Sequence, residues 1–345
     1  MTKIAFIGAS AEEEKFFREK LAGDAYELGF AKDADWRSVD PATEVLSVFV
    51  DFEVTRDVFD ALPNLKLIAC RSTGFNNIDL GPVQERGVII ANTPGYGATS
   101  VAEYVFGLIL MLSRKINYIQ HEVKNSTVHE GIDRAAERGW DLNGRIIGII
   151  GLGAIGRGVA QIARGFGMKI LAYEPYKKDI DFAAKCGVEF VDDLAQICRE
   201  SDIVTLHAPY TPGDHHLLNA KILSGMKPTA LVINTSRGEL VNTLQLARML
   251  QDGQLGGVGL DVIEDESYLT NPNAVIELAA GGNELAVDKL KHALAMLSLE
   301  KMPNVIITNH NAFNTVEALE KINDMTVNNI ANFIGGDTDK VFVAK

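Results

Sequence analysis

The chain has 345 residues, of which 47% are hydrophobic and 23% are charged, and its formal net charge is −13. This length allows two domains, and the composition is that of an ordinary globular protein, which excludes the fibrous and disordered classes. Because nucleic acid repels a strongly acidic chain, the charge argues against nucleic acid as a partner.

Cellular location is predicted from cysteine content and from apolar runs. The three cysteines lack CxxC spacing, and the N-terminus has no cleavable signal pattern. The longest apolar run, within residues 104–112, is too short to cross a bilayer. We therefore expect a cytoplasmic protein with reduced thiols, no membrane contact and no bound metal.

The first 95 residues alternate between apolar segments typical of strands and segments typical of helices. The strands are predicted at 3–8, 26–31, 45–50, 66–70 and 88–91, and the helices at 11–22 and 54–62. This alternation indicates an open parallel sheet. Ligands bind beyond the carboxyl ends of such strands, where the polar loop 71–79 is expected.

A breaker cluster at 92–97 predicts a hinge, and a long apolar-striped helix is predicted at 99–121. Strand and helix patterns then alternate again as far as residue 311. The further strands are predicted at 146–150, 169–173, 188–191, 203–206, 230–234, 257–262 and 304–308, and the helices at 285–299 and 316–333, with a last short strand at 341–343. We predict a dinucleotide-binding domain at 99–311, inserted into a second domain made of 1–98 and 312–345.

The most informative stretch is 145–174, RIIGIIGLGAIGRGVAQIARGFGMKILAYE. It predicts a strand, a glycine turn, a helix and a second strand. Gly151 allows the tight turn, Gly153 lets the backbone approach a pyrophosphate, and Gly156 lets the helix pack close to the strand. The helix N-terminus favours phosphate, and Glu174 can accept hydrogen bonds from an adenosine ribose. The unit predicts dinucleotide binding; the alternative is a glycine-rich structural turn.

Polar groups also follow three predicted strands of the second domain, namely Arg237, the acidic run 264–266 and His310. An arginine fork binds a carboxylate through two charged hydrogen bonds. A histidine beside a carboxylate is a general acid/base suited to neutral pH. Singly, each group is more often structural, and acidic runs are usually solvated loops. Together, beside a nicotinamide cofactor, they indicate hydride transfer.

At these residues the chain resembles the D-isomer-specific 2-hydroxyacid dehydrogenase family, from about residue 45 to 335. The resemblance is carried by RSTGFNNID (71–79), NTPGYGATSVAEYVFGLIL (92–110), GIIGLGAIGRGVA (148–160), DIVTLHAPYT (202–211), INTSRGELVN (233–242), GGVGLDVIEDE (256–266) and PNVIITNHNAF (303–313). Tyr96, the long excursion 264–303 and the residues after His310 make it most similar to the D-lactate dehydrogenase branch.

The resemblance implies an α/β protein of two Rossmann-like domains with parallel sheets, a flavodoxin-like substrate domain and an inserted dinucleotide-binding Rossmann domain. The implied catalytic residues are Arg237, Glu266 and His310, with Glu266 preferred to its acidic neighbours as the partner of His310. The implied substrate-binding residues are Thr73, Gly74, Tyr96 and Phe52. The NAD-binding residues are Gly151, Gly153, Ala154, Ile155, Gly156, Glu174, His207, Pro209, Thr235, Ser236 and Asp261.

The implied activity is reversible, NAD-dependent reduction of a small 2-keto acid such as pyruvate, by a homodimer with helix 99–121 at its interface. Relatives act on phosphoglycerate, glyoxylate, hydroxyisocaproate or phosphite, so those substrates stay open. An NAD(H)-sensing interaction protein of the corepressor type is a further alternative, because such proteins keep the catalytic residues.

Overall fold

The computed structural model describes residues 1–32, 35–125, 135, 137–264, 284–338 and 341. The chain forms two compact units, one of Met1–Tyr96 with Asn314–Lys345 and one of Gly97–Phe313. We call them unit 1 and unit 2. Each unit has its own parallel sheet, so the predicted α/β class with two parallel-sheet domains is confirmed.

Unit 1 has a five-stranded sheet in the order β2-β1-β3-β4-β5, which is the flavodoxin-like order. Its strands are β1 (Thr2–Ile7), β2 (Tyr26–Ala31), β3 (Val45–Val48), β4 (Leu67–Cys70) and β5 (Ile89–Ala91), and its helices are α1 (Ala11–Lys20), α2 (Arg56–Ala61), α3 (Leu80–Arg86) and a final helix, Val316–Ile334. Strands β3 and β4 are buried along their whole length, as expected for central strands of a sheet covered on both faces.

Local sequence explains where the helices of unit 1 begin and end. Helix α1 starts at a capping box, in which the Ser10 side chain accepts from the Glu13 N–H and the Glu13 carboxylate accepts from the Ser10 N–H. The side chain of Asp79 caps α3, and Gly87 ends that helix in the left-handed region.

Unit 2 has a seven-stranded parallel sheet in the order β12-β11-β10-β9-β6-β7-β8. Its strands are β6 (Ile146–Ile150), β7 (Lys169–Tyr173), β8 (Val188–Phe190), β9 (Ile203–Leu206), β10 (Leu231–Asn234), β11 (Gly257–Leu260) and β12 (Val305–Ile307). Its helices are α4 (Ala98–Ser113), α5 (Ile116–Asn125), α6 (Ala154–Gly165), α7 (Ile180–Cys186), α8 (Leu194–Glu200), α9 (Ala220–Leu223), α10 (Thr243–Gln251) and α11 (Glu284–Leu299), and the final helix of unit 1 is α12. The strand order reverses between β6 and β9, where a doubly wound sheet binds its dinucleotide.

The single helix predicted at 99–121 is two helices in the structure. Helix α4 ends at Ser113, and α5 begins at Ile116. Between them Lys115 has a φ of 51°, a left-handed conformation that interrupts a helix. The prediction of one helix was wrong because the apolar stripe continues through a break that only the backbone angles reveal.

All three cysteines are buried and unpaired. Burial raises the pKa of the Cys70 and Cys198 thiols to about 12, so both stay protonated. Among the described helices, none combines the length and apolarity that a membrane span requires. The strand predicted at 341–343 lies, except for Val341, outside the described residues.

Candidate active site

The turn between β6 and α6 is built by close backbone approach. Gly151 has a φ of 92°, and a Cβ there would lie 2.8 Å from backbone atoms of His207 and Ala208. A Cβ on Gly156 would lie 2.1 Å from the carbonyl oxygen of Gly151. Both distances are too short for a side chain, so the two glycines hold α6 tightly against β6 and against the residues after β9.

The N-terminus of α6 is open to an anion. Gly153 is its N-cap and gives no side-chain hydrogen bond to the first turn, while Ala154 and Ile155 open the helix. Its first N–H groups therefore point outward with the positive end of the helix dipole, which suits a pyrophosphate.

Glu174 lies beside this turn, directly after β7. One carboxylate oxygen accepts a hydrogen bond from the Leu152 N–H at 2.9 Å, and the other accepts from the Tyr176 N–H at 3.1 Å. A carboxylate has about four acceptor positions, so both oxygens can still accept from ribose hydroxyls.

We expect Gly156→Ala to weaken NADH binding. The new methyl group would overlap the Gly151 carbonyl, and overpacking of this kind costs about 1–3 kcal/mol of folding stability. If NADH binding loses about 1.4 kcal/mol, its Kd rises about tenfold. Gly165→Ala is the matched control at the other end of α6, because nothing lies within 4 Å of its added Cβ. Fluorescence titration with NADH measures both variants, and equal Kd values would contradict this account.

Two buried polar atoms face the same edge of the sheet, after β9 and β10. The Nδ1 atom of His207 and the Oγ1 atom of Thr235 have no hydrogen-bond partner among the described residues. Burial lowers the pKa of His207 from 6.5 to about 3, so the ring is neutral at pH 7. Its Nε2 atom lies 2.9 Å from the Thr205 hydroxyl. Unpaired buried polar atoms here fit a cofactor that carries hydrogen-bonding groups.

Two further predicted NAD-binding residues, Pro209 and Ser236, have no buried unpaired atoms of this kind among the described residues. Pro209 is exposed, and the Ser236 hydroxyl donates to the carbonyl oxygen of Ala208. Ser236 therefore ties the end of β10 to the segment after β9.

Arg237 follows β10 in a turn that is clamped by Asn234. The Asn234 side chain donates to the Arg237 carbonyl at 2.8 Å and accepts from the Ser236 N–H at 3.0 Å. The guanidinium of Arg237 donates to the Ser236 carbonyl at 2.7 Å. One Nη atom is thus engaged locally, and the side chain is half-buried. A fixed, partly exposed guanidinium suits a carboxylate ligand.

His310 follows β12 in a turn that is clamped by Asp261, the residue after β11. The Asp261 carboxylate accepts from the Thr308 hydroxyl at 2.6 Å and from the N–H groups of Asn311 and Ala312 at 2.8 and 2.9 Å. The Asp261 carbonyl accepts from the His310 N–H at 2.8 Å. Asp261 is 1% exposed. The structure thus gives this carboxylate a role that the sequence analysis did not assign, which is to shape the turn that carries His310.

The backbone of His310 is strained. Its φ is 54°, in the left-handed region that non-glycine residues seldom adopt. Such conformations persist when the surroundings enforce them, and they cluster at functional sites. Here the four hydrogen bonds to Asp261 enforce it.

Gly238 packs the Arg237 turn against the backbone that follows Asp261. A Cβ at Gly238 would lie 2.1 Å from the carbonyl carbon of Ile263 and 2.2 Å from the nitrogen of Glu264. The turn after Arg237 therefore lies directly on the backbone that leads away from Asp261. Since β10, β11 and β12 are parallel neighbours, Arg237, Asp261 and His310 share one edge of the sheet.

The predicted substrate loop of unit 1 follows β4. The Thr73 hydroxyl donates to the Thr93 carbonyl at 3.0 Å, and the Ser72 hydroxyl donates to the Gly74 carbonyl at 2.6 Å. Arg71, 1% exposed, starts this loop and pairs with Glu13 at 2.9 Å. The loop is thus anchored where it begins, and Thr73 is exposed.

The other predicted substrate residues have mixed surroundings. Tyr96 is half-buried at the end of unit 1. Phe52 is 7% exposed and packs in the core of unit 1 with Val48 and Val54. Glu266, the predicted partner of His310, lies outside the described residues.

Sequence reasoning missed one buried polar cluster. Glu264, taken as part of a solvated acidic run, is 7% exposed and bonds His216 and His292. A buried acid is recognisable only from the apolar residues just before it, Val262 and Ile263.

Comparison with known proteins decides the family. The family model for the NAD-binding domain of the D-isomer-specific 2-hydroxyacid dehydrogenases matches residues 106–312. The chain belongs to the D-isomer-specific 2-hydroxyacid dehydrogenases. It is therefore an NAD-dependent oxidoreductase, and the glycine turn, Glu174 and the unpaired atoms after β9 and β10 are the features that fit NAD.

Individual relatives of this dehydrogenase carry different names. It is 31% identical to D-lactate dehydrogenase of Escherichia coli, over 97% of this chain and 98% of that protein. It is 32% identical to glyoxylate reductase of Thermococcus litoralis, over 88% of this chain and 84% of that protein. The crystal structure of Aquifex aeolicus D-lactate dehydrogenase with NAD and lactic acid matches with a TM-score of 0.79 and 33% identity, over 98% of this chain and 97% of that one.

Proposed function

We propose that this dehydrogenase reduces a small 2-keto acid such as pyruvate to the D-2-hydroxy acid, with His310 as the acid/base. The observation that carries the proposal is the Asp261 clamp, which fixes the His310 turn beside the Arg237 turn on one edge of the NAD-binding sheet. Tyr96 supports a small substrate through the resemblance to the lactate branch.

When held by the glycine turn and Glu174, NADH would supply the hydride for reduction of the keto carbon. Arg237 binds the substrate carboxylate and polarises the keto oxygen. Protonated His310 donates its proton to the keto oxygen as the C=O double bond becomes a C–OH group. Glu266 accepts a hydrogen bond from the other ring nitrogen of His310 and fixes the ring.

We expect a preference for NADH over NADPH. A 2′-phosphate would meet the Glu174 carboxylate, which already lies on the glycine turn. Lys178, a cation that could offset this repulsion, is paired with Asp192, whereas Lys177 is exposed. Like-charge repulsion of about 1.4 kcal/mol gives about a tenfold preference in kcat/KM. Comparing kcat/KM for the two cofactors tests this, with Glu174→Gln expected to narrow the ratio; a wild-type preference for NADPH would refute it.

NADH oxidation with pyruvate, glyoxylate, hydroxypyruvate and branched 2-keto acids, followed by chiral analysis of the product, tests the proposed reaction. We expect the highest kcat/KM with pyruvate and a D product. Glyoxylate is the second candidate, because a relative of similar identity is a glyoxylate reductase. An L product, or no turnover with any keto acid, would contradict the proposal.

We further propose a cytoplasmic homodimer, with helices α4 and α5 at the interface. Two large apolar side chains of α5 support this placement, since Ile116 is 41% and Val123 is 58% exposed. Reduced, buried cysteines agree with the cytoplasm. Sedimentation analysis of the wild type and of Val123→Asp tests the assembly; a monomeric wild type would contradict it.

A further inference from the structure

Three histidines surround the buried carboxylate of Glu264, just beyond the end of β11. The Nε2 atom of His216 lies 3.0 and 3.2 Å from its two oxygens. The Nδ1 atom of His292, on α11, lies 3.2 Å from one oxygen, and the Nε2 atom of His215 lies 3.7 Å from the other. We call Glu264, His216 and His292 the Glu264 cluster.

Ligand atoms of His215, His216 and Glu264 lie within 4.8 Å of one another, a spacing that a metal ion could bridge. The hydrogen bonds of Asn242 argue against a bound metal ion. Its side-chain oxygen accepts from the Gln245 N–H at 2.8 Å and caps α10, so its NH₂ group faces His216 Nδ1 at 3.1 Å. Nδ1 must then accept, and the ring proton lies on Nε2, facing Glu264. A metal on Nε2 would force that proton onto Nδ1, against the Asn242 NH₂ group.

The Glu264 cluster is therefore held together by hydrogen bonds and not by a metal ion. The ionised carboxylate of Glu264 is the acceptor. Burial raises the pKa of Glu264, but hydrogen bonds from His292 and His216 outweigh burial and hold the pKa below its usual value. As a carboxylate, Glu264 only accepts, so His292 donates through Nδ1 and His216 donates through Nε2.

The cluster lies beside the turn that carries Arg237, one of the predicted catalytic residues. The backbone of Ile263 and Glu264 lies against Gly238, next to Arg237. The His216 N–H donates to the carbonyl of Glu239, in the same turn, at 2.8 Å.

The backbone of His216 shows that the contact between its ring and Glu264 is enforced by the surrounding structure. Its φ is 53°, a left-handed value that costs a non-glycine residue energy. The strained residue keeps its ring on Glu264 while its N–H binds the Arg237 turn. A turn at this position could form without a histidine in the left-handed region, so the turn alone does not explain the strain at His216.

We propose that Glu264 is a positioning residue for the reaction. Through His216 and His292 it holds the residues that follow Asp261, as far as Glu264 itself, against the Arg237 turn and against α11. This inference rests on the proposed function, because it assigns Glu264 to the placement of Arg237.

Glu264→Gln tests the role with minimal change of shape. A glutamine has one acceptor oxygen, so it can accept from His216 or from His292, and its NH₂ group then opposes the other. We expect kcat to fall about tenfold or more, since small misplacements of catalytic groups cost up to about 10²-fold. The Kd for NADH should stay within about twofold, because the NAD-binding turn is elsewhere in the sheet. We also expect the pH profile of kcat to differ from that of the wild type, a change that a purely structural role of Glu264 would not produce.

Variants of His292 provide the rescue arm. His292→Asn keeps an N–H donor near the position of Nδ1 and should retain most of kcat, whereas His292→Phe removes the donor and should behave like Glu264→Gln. His215→Asn is the matched control, since its ring is too distant for a hydrogen bond to Glu264, and its kcat should equal that of the wild type.

The outcomes separate this inference from the proposed function. If His310→Asn is fully active, the proposed function is wrong. If His310→Asn is inactive while Glu264→Gln and His292→Phe keep wild-type kcat and pH profile, Glu264 is only structural and the inference fails. Stoichiometric binding of Zn²⁺ to the chelator-treated wild type that Glu264→Gln abolishes would overturn it as well, by making the cluster a metal site.

Discussion

Replacement of His310 by asparagine should lower kcat for keto-acid reduction by about 10²–10⁴-fold, the usual contribution of a general acid. Asparagine is the suitable variant because the φ of residue 310 is 54°, and asparagine tolerates the left-handed region better than alanine. Its amide cannot supply a proton to the keto oxygen at neutral pH. The loss should therefore be chemical and leave the Asp261 clamp intact.

Two measurements show whether the loss in His310→Asn is chemical. Fluorescence titration should give a Kd for NADH close to that of the wild type, and single-turnover NADH oxidation should slow by the same factor as kcat. A variant that keeps more than about a tenth of kcat would remove His310 as the proton donor, since even the weakest general acids contribute about 10²-fold.

Asp261→Asn should lower kcat about 10²-fold, because a catalytic group displaced by about 1 Å can lose that much. The Asp261 carboxylate holds the His310 turn through three accepted hydrogen bonds. Asparagine offers one oxygen, and its NH₂ group would oppose a backbone N–H in a site that is 1% exposed. Leaving such a donor unpaired costs about 1–3 kcal/mol of folding stability.

Asp202→Asn separates the loss of kcat in Asp261→Asn from its loss of folding stability. Asp202 lies before β9, at the opposite edge of the same sheet, and its carboxylate accepts from the Ile146 N–H and from Lys227. We expect Asp202→Asn to lower the unfolding free energy and to leave kcat unchanged. Urea unfolding and steady-state kinetics on both variants test this. If the two variants lose kcat equally, Asp261 does not affect catalysis through the His310 turn.

The strands and the glycine turn were predictable because their signals are local. Each apolar run is short and bounded by breakers, and β6 leads directly into Gly151, Gly153 and Gly156. The placement of Arg237 and His310 on one edge was also predictable, since each follows a strand and parallel strands share their carboxyl edge.

The features that shape the site depend on distant residues and backbone angles. Asp261 binds a turn about fifty residues later, and the left-handed φ of His310 follows from that contact. In sequence, Glu264 differs from its acidic neighbours only in following Val262 and Ile263, and its burial becomes clear when His216 and His292 are placed around it. Likewise, the break between helices α4 and α5 depends on the φ angle of a single residue, Lys115. No periodicity in the chain encodes these contacts.

The central claim is that His310, Arg237 and Glu266 meet around one substrate. A crystal structure of the enzyme with NADH and the pyruvate analogue oxamate measures this directly. We predict a His310 ring nitrogen within about 3.2 Å of the oxamate carbonyl oxygen, Glu266 at the other ring nitrogen, and Arg237 bonded to the carboxylate. A His310 ring more than about 6 Å from the oxamate, beyond the reach of a bridging water, would contradict the account.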